Sequence, residues 1–476
     1  MQFPDLRSIG QPSAEEDAVL EYFLTTDAVR LVEENEIFLI LGRKGSGKTA
    51  LVKHFTKEHG KNPYRRPLNL RGYPWTLHSD LADNQVGEME AYVASWRYLI
   101  AAQAASACLE AKFNNTIDAE QKLRSFFNSN YGAPSVDVDK VFSPAKIIIE
   151  KAVIQPKIAG NELGSIELRK VKPGFGQQID AVATEIIRLV GETMRYRGQN
   201  HIELHFDELD VGLEKFDRNR ELLISGLILA IQSFRGFGKK SDQIVRPFVY
   251  LRQDLWDYLA FSDKNKISRG PALVLNWNSA SLLEMVNIRL NRIANLSWSD
   301  LIDDRLMRGT QQKWDHIISR TLDRPRDVIS YINIILSQKK DRELLSNEDI
   351  SSARSEYTTY FKEELDDEIK AHWPHWEDAI NTLRDIGYIT FTRTQFDEAY
   401  DRQRSKENKV EDGAGALSRL FEYSVVSYLR PRRGGGSDWV WKYKDRTANF
   451  DARAERFRAH LGIVEFANLR EERRPG

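Results

Sequence analysis

One eight-residue stretch constrains this chain more than anything else in it. Gly42-Arg-Lys-Gly-Ser-Gly47-Lys48-Thr49 matches the pattern G-x-x-x-x-G-K-[ST]. Ahead of it, Glu36-Ile-Phe-Leu-Ile-Leu41 reads as a continuous apolar run, too short for a typical helix and suited to a buried parallel strand. Behind it, Thr49–Lys57 has helical spacing. Strand, glycine loop and helix open a phosphate-binding α/β unit. The glycines let consecutive backbone N–H groups turn toward one phosphate, and the helix N-terminus adds its dipole. Lys48 is the cation for the β- and γ-phosphates, and the Thr49 hydroxyl is a Mg²⁺ ligand. The predicted nucleotide-binding set is Gly42, Lys44, Gly45, Ser46, Gly47, Lys48, Thr49 and Ala50. Chance produces the pattern in about 2% of chains this long, and the flanking strand and helix lower that figure.

Such a loop needs a second strand ending in a carboxylate that orients the metal. Ile202–Phe206 followed by Asp207-Glu208 supplies it. Asp207 is the predicted Mg²⁺ partner of Thr49, and Glu208 the general base for the attacking water. The competing reading is a charged loop after a strand. His201 and His205 have no partners at metal-ligand spacing and read as ordinary strand histidines. Between Thr49 and Asp207 lie 157 residues, far more than one strand–helix–strand step of roughly 30 residues requires. At least one further strand therefore intervenes, with an insertion, read as 113–175, in which Ile147–Ile149 and Ile166–Leu168 pair as a hairpin.

Hydrophobic residues at 41% and charged residues at 29% exclude general disorder and allow a sizeable core. The 476 residues set a prior of two or three domains. No run approaches the roughly 18 apolar residues of a membrane span. Residues 1–10 carry Asp5 and Arg7 without an apolar stretch, which predicts no secretory signal. Cys108 is the single cysteine, which excludes disulfide frameworks and fits a reducing cytoplasm. A net charge of −1 leaves any nucleic-acid binding to a local patch.

Periodicity predicts helices over 14–33, 88–113, 177–197 and 217–235, strands at Tyr64–Leu70, Arg246–Arg252 and Ala272–Trp277, and mostly helix from 280 to 371. Short strands return after 374, at Tyr388–Phe391, Ser424–Arg430 and Trp439–Tyr443, around helices at 375–386 and 413–423. Three further arginines are candidates. Arg252 ends a strand and faces the ligand crevice of an open α/β sheet, or is a surface arginine starting a helix. Arg269 precedes the last core strand, where an arginine serves a neighbouring subunit as a finger on the γ-phosphate, or is a solvated loop residue. Asp323-Arg-Pro-Arg-Asp327 begins a helix, and Arg326 there is read as closing over the γ-phosphate, against an N-terminal ion pair.

The loop Gly42–Thr49, the acidic Asp207-Glu208, Leu251-Arg-Gln-Asp-Leu-Trp256 with Ser262-Asp-Lys-Asn-Lys-Ile267, and the Arg-Pro-Arg-Asp helix start together resemble a group of bacterial stand-alone P-loop ATPases. These are related to the AAA+ and STAND NTPases and, more distantly, to origin-recognition initiator ATPases. The resemblance implies Arg252 at the sensor-1 position, where a small polar residue is usual, and Arg326 at sensor 2. It also implies frequent occurrence in mobile-element and phage-defence neighbourhoods. The expected fold class is α/β: a P-loop parallel sheet with a helical lid and a C-terminal winged-helix-like module. The expected domains are an ATPase core over 1–277, a lid over 278–371 and the C-terminal module over 372–476.

Within that module, residues 426–446 hold six basic residues (Arg430, Arg432, Arg433, Lys442, Lys444, Arg446) against Asp438 and Asp445. Trp439, Trp441 and Tyr443 interleave with them, and the set is a candidate DNA contact. The same alternation also describes a half-buried strand, and 371–476 as a whole is only +2. The expected function is an ATP- and Mg²⁺-dependent molecular switch controlling self-association or recruitment of a separate effector protein. The alternatives are an initiator-like DNA-binding ATPase and a non-hydrolysing scaffold that keeps nucleotide as a structural cofactor.

Overall fold

The computed structural model describes residues 6–58, 62–71, 73, 78, 88–113, 115–149, 156–158, 161–162, 165–167, 175–209, 217–235, 243–339, 343–370, 372–405, 411–432 and 435–471. Two compact units emerge. The first, called the core unit, comprises Thr25–Arg43 and Gly47–Asn276; the second, the C-terminal unit, comprises Met1–Leu24, Lys44–Ser46 and Trp277–Gly476.

The core unit is built on a five-stranded parallel sheet. Its strands are β1 (Leu39–Gly42), β2 (Arg65–Asn69), β7 (Ile202–Asp207), β8 (Val245–Arg252) and β9 (Ala272–Val274), in the order β2-β7-β8-β1-β9. The intervening strand inferred from the spacing is β2. In space, β8 separates the loop strand from the acidic strand, which is the AAA+-type P-loop order. β1 and β7 are buried along their whole length, as strands covered on both faces must be.

Helix α1 (Asp27–Glu33) precedes the sheet, and α2 (Lys48–Lys53) follows the loop and continues as a π-helical turn over His54–Glu58. Long α3 (Glu88–Glu110) is buried nearly all round and packs on α5 (Phe175–Tyr196) and α6 (Arg218–Phe234). Gly226 permits that approach: a Cβ there would lie 2.8 Å from the Tyr92 Cβ.

The expected insertion begins with α4 (Asp118–Tyr131). Strands β3 (Lys146–Ile148) and β6 (Ser165–Glu167) then pair antiparallel with Ile147 opposite Ile166, and β4 (Lys157–Ile158) pairs with β5 (Asn161–Glu162). Short helices α7 (Gln253–Tyr258) and α8 (Lys264–Arg269) lead into β9.

The C-terminal unit starts with α9 (Ser279–Ala294), α10 (Trp298–Leu301), α11 (Lys313–Ile318), α12 (Pro325–Gln338), α13 (Asn347–Ser352) and α14 (Arg354–Ile369). It continues with α15 (Trp376–Ile386), β10 (Thr390–Thr392), α16 (Arg393–Gln403), α17 (Gly413–Glu422), β11 (Val426–Pro431), β12 (Ser437–Val440) and β13 (Arg456–Ala459). One continuous core runs through this unit, from Leu282 on α9 through Tyr331, Phe361 and Trp376 to Phe457 on β13. Residues of the helical stretch and of the strand-bearing stretch share this core.

The antiparallel sheet has the order β10-β13-β11-β12. In chain order the module runs helix, strand, two helices and a hairpin. Two elements escaped the periodicity: α16, and β13, which inserts between β10 and β11. Both are short, and β13 finds partners only in strands far away in sequence.

The helix expected over 14–33 is two elements. A 3₁₀ turn, Val19–Tyr22, ends before extended Phe23, and α1 begins after Thr26. The reason is tertiary. Asp17 is buried against Arg289 at 2.8 Å and accepts the Tyr22 hydroxyl, which ties this turn to the C-terminal unit.

Candidate functional site

The loop after β1 turns at two glycines. Gly45 has φ +77° and Gly47 φ +98°, both in the left-handed region that favours glycine. Lys48 begins α2, and its ammonium donates to the carbonyls of Gly42 and Arg43 at 3.1 and 3.2 Å. Thr49, one residue on, donates its hydroxyl to Asp207 Oδ2 at 2.9 Å. Asp207 ends β7, level with Asn69 of β2, and is buried. Burial pushes its carboxyl up to about 6, against the opposing pull of the Lys48 ammonium and the Thr49 hydroxyl. The sheet thus brings together Lys48, Thr49 and Asp207, which the sequence assigned to one site. Ala50 follows in the first turn of α2.

Glu208 leaves the strand with φ +58°, a conformation that costs a non-glycine residue roughly 1–2 kcal/mol. Its Oε2 is buried and accepts no hydrogen bond among the described residues. A carboxylate oxygen held this way is available to a water. Asp210, which closes the acidic stretch in the sequence, lies outside the described residues.

His205 of β7 and His201 just before it have other work. His205 is fully buried and pairs with the Tyr250 hydroxyl at 2.9 Å, and His201 pairs with Glu203 at 2.8 Å. Burial opposes ionisation of Glu203, but His201, His205 and Arg65 outweigh it and hold the carboxyl well below its usual range. Among the described residues no cluster of His, Cys, Asp and Glu could hold a metal ion by itself.

Arg252 stands at the end of β8, in register with Gly42 at the start of the loop. Its guanidinium grips Asp254, with Nη2 2.6 Å from Oδ2 and Nε 3.0 Å from Oδ1. Arg269 closes α8, exposed, and makes no ion pair among the described residues.

Within the C-terminal unit, Lys44 reaches Asp367 at 2.6 Å and Glu364 at 3.6 Å. Ser46 is buried, its hydroxyl has no partner among the described residues, and its carbonyl accepts the Trp277 indole at 2.9 Å. Arg326, at the start of α12, donates its backbone N–H to Gly45 and pairs with Glu364 at 3.3 Å. Its neighbour Arg324 is fully buried, paired with Asp327 at 2.9 Å and with Glu368, and donates to the Lys44 carbonyl at 3.3 Å. The sequence singled out Arg326 and gave Arg324 no separate task. It also missed Trp277, Glu364 and Asp367, whose partners lie far away along the chain.

On the terminal hairpin, Arg430 stands opposite Asp438, and Arg432 is ion-paired to the same carboxylate. Arg458 stacks over Trp439 with 5.9 Å to the ring centroid. Arg433 lies outside the described residues.

Comparison with known proteins adds three findings. Residues 280–366 match the FunZ-associated C-terminal helical domain. The chain is 22% identical over 455 residues to the transposon gamma-delta 80.3 kDa protein of Escherichia coli K12, covering 88% of this chain and 61% of that one. It therefore spans less than two thirds of the length of that relative. Among solved structures, it is similar to the Aeropyrum pernix ORC1 protein in complex with DNA (TM-score 0.37, 12% identity, 93% of this chain and 90% of that chain). It is also similar to the Aeropyrum pernix ORC2 protein in its ADPNP-ADP complexes (TM-score 0.32, 12% identity, 92% and 90%). Among the described residues no helix is long and apolar enough to cross a membrane.

The loop conformation has a direct test in Gly45. A Cβ at this position would sit 2.7 Å from the Arg326 Cβ, on a backbone that L side chains rarely adopt. Gly45→Ala is expected to lower unfolding free energy by about 1–3 kcal/mol in a denaturant titration. An unchanged midpoint would mean that the loop does not hold this turn.

Proposed function

We propose that this chain is an ATP-hydrolysing P-loop switch whose nucleotide state controls self-association or recruitment of a partner protein. The observation that carries the reading is the hydrogen bond from the Thr49 hydroxyl to the buried Asp207 carboxylate, with Glu208 next in the chain. These are the two oxygen ligands that a Mg²⁺–nucleotide complex takes from the protein in P-loop ATPases. The residues fit such a complex: positive-φ glycines shape a cradle, the Ser46 hydroxyl is a buried polar atom without a partner among the described residues, and both metal ligands are hard oxygens. Bound Mg²⁺ would neutralise charge on the β- and γ-phosphate oxygens.

The remaining work falls to the chain. Lys48 exchanges the loop carbonyls for phosphate oxygens. The backbone N–H groups of the loop orient the phosphates. Glu208, whose Oε2 has no partner among the described residues, takes the proton of the attacking water. Arg326 serves as the lid arginine at the start of α12, on a helical lid over 278–371. Arg269, exposed at the end of α8, is a finger for a neighbouring subunit. Arg252, held by Asp254, has a positioning part at the strand end. The transposon origin of the Escherichia coli relative favours a mobile-element setting, the neighbourhood in which the phage-defence reading also belongs.

The acids separate binding from chemistry. Glu208→Gln is expected to keep ATP bound in calorimetry and slow its hydrolysis at least ~10²-fold. Asp207→Asn should instead weaken Mg²⁺-dependent binding. Wild-type turnover in both variants would move hydrolysis elsewhere.

A second reading, DNA binding by a winged-helix-like module over 372–476, is favoured by one observation: Arg430 and Arg432 are exposed on the β11–β12 hairpin. It predicts that replacing Arg430, Arg432 and Arg433 with Glu abolishes salt-dependent DNA binding and leaves ATP turnover unchanged. DNA binding that survives the triple change would rule the hairpin out as the contact.

A further inference from the structure

Among the described residues, Arg320 is a buried cation that pairs with no carboxylate. It lies between α11 and α12 in the C-terminal unit and is 8% exposed. Its Nη1 donates to the His316 carbonyl at 3.1 Å, and its Nε is enclosed with no acceptor among the described residues. Arg197, Arg289 and Arg324 are buried as deeply, and each holds a carboxylate at 2.8 or 2.9 Å. A guanidinium taken out of water without a counter-charge is strongly destabilising. Burial accordingly holds Arg320 below the usual range of its group.

Two neighbours also hold donors in reserve. His316 on α11 is 7% exposed, and its Nε2 is enclosed without a partner among the described residues. Burial first, then Arg320 and Arg354, push its imidazole down to about 3, so the ring is neutral and stands close to both guanidinium groups. A neutral ring can carry its proton on Nε2 and donate a hydrogen bond from it. Arg354 opens α14 and is 35% exposed; its Nε serves the Ser351 carbonyl at 3.1 Å and Glu465 at 3.2 Å. Its two Nη groups make no hydrogen bond among the described residues. The hydroxyls of Tyr331 and Tyr357 donate elsewhere, to the carbonyls of Ile350 and Arg320. Two guanidinium groups and a neutral ring thus face one carboxylate, and donors from three segments are left over.

We propose that His316, Arg320 and Arg354 bind a small phosphate, either inorganic phosphate or the terminal group of a phosphomonoester. Its oxygens take the Arg320 Nε, the Arg354 Nη groups and the His316 Nε2, and its charge compensates the surplus cation. A carboxylate brings two oxygens and one charge, too few for three donor groups. An in-chain phosphodiester carries a substituent on either side, which donors buried this deeply exclude. The way in is the part-exposed edge formed by Arg354 and Glu465, where phosphate displaces the Glu465 carboxylate from Arg354. No residue of the glycine loop takes part, so the site is independent of the ATPase reading.

The test is calorimetric titration of the full chain carrying Lys48→Ala with inorganic phosphate in chloride buffer, that substitution removing the glycine loop's own cation. Phosphate is expected to bind. Arg320→Met, near in length and uncharged, should weaken it at least ~10-fold, the weight of a charge-assisted hydrogen bond. Glu465→Gln removes the competing carboxylate and should tighten binding about threefold. Arg308→Met deletes an exposed arginine elsewhere in the unit and should change nothing. Should Arg320→Met fail to fold, Arg354→Met carries the test, with an expected weakening of about threefold. Displacement of the phosphate by AMP assigns the site to phosphomonoesters, and failure of AMP assigns it to inorganic phosphate. A 5′-hydroxyl oligothymidylate, whose phosphates are all diesters, should not compete. Displacement by that oligomer overturns the proposal. So does absence of phosphate binding, or binding that Arg320→Met and Arg354→Met leave unchanged. An equal loss from Arg308→Met also overturns it, since bulk charge would then explain the effect.

Discussion

The hydrogen bond between Thr49 and Asp207 is the constraint on which the rest of the core depends. Its two residues belong to strands that are not neighbours. Strands in a sheet lie about 4.8 Å apart, so β1 and β7 are separated by roughly 10 Å, with β8 between them. The glycine loop must therefore carry the chain sideways over the end of β8 before α2 begins. Positive φ at Gly45 and Gly47 makes that path possible. The bond also needs Asp207 at the last position of β7, and the register of β7 with β2 and β8 fixes it there. Sheet order, loop conformation and acid position form one geometric statement.

Polar groups in the same sheet serve that statement indirectly. Glu203 and His205 point from a fully buried strand, and each has partners, Arg65 with His201 for the first and the Tyr250 hydroxyl for the second. Buried polar side chains paired in this way cost little and pin β7 against its neighbours. The C-terminal unit applies the same logic to Arg324. Its full burial is tolerated because Asp327 and Glu368 meet it, and the pair fixes the first turn of α12. Pro325 at the helix start completes that turn without leaving an N–H unpaired.

Much of this was legible in the sequence because it is local. The loop, its strand and its helix lie within about twenty consecutive residues, and glycine spacing reports backbone geometry directly. The acidic strand and the Ile147–Ile166 hairpin were readable for similar reasons: short runs with clear periods. What escaped was non-local. Nothing near Glu364 in the chain announces Lys44 or Arg326 as its partners, and Trp277 finds the Ser46 carbonyl across 231 positions. The helix expected over 14–33 failed on the same ground, since Asp17 answers to Arg289. Arg324 and Arg326 stand two residues apart in one motif, yet one is fully buried and the other only partly. Burial, which separates them, is a property of the packed unit and of α14 above all.

Whether the proposed loop binds ATP and hydrolyses it is decided at Lys48. The measurement is phosphate release from Mg²⁺–ATP by purified wild type and Lys48→Ala at equal concentration, with calorimetric ATP binding beside it. Turnover and binding are expected in wild type and the loss of both in the variant, because the loop then has no ammonium for the β- and γ-phosphates. Equal turnover in the two proteins, or unchanged ATP affinity in Lys48→Ala, would contradict it.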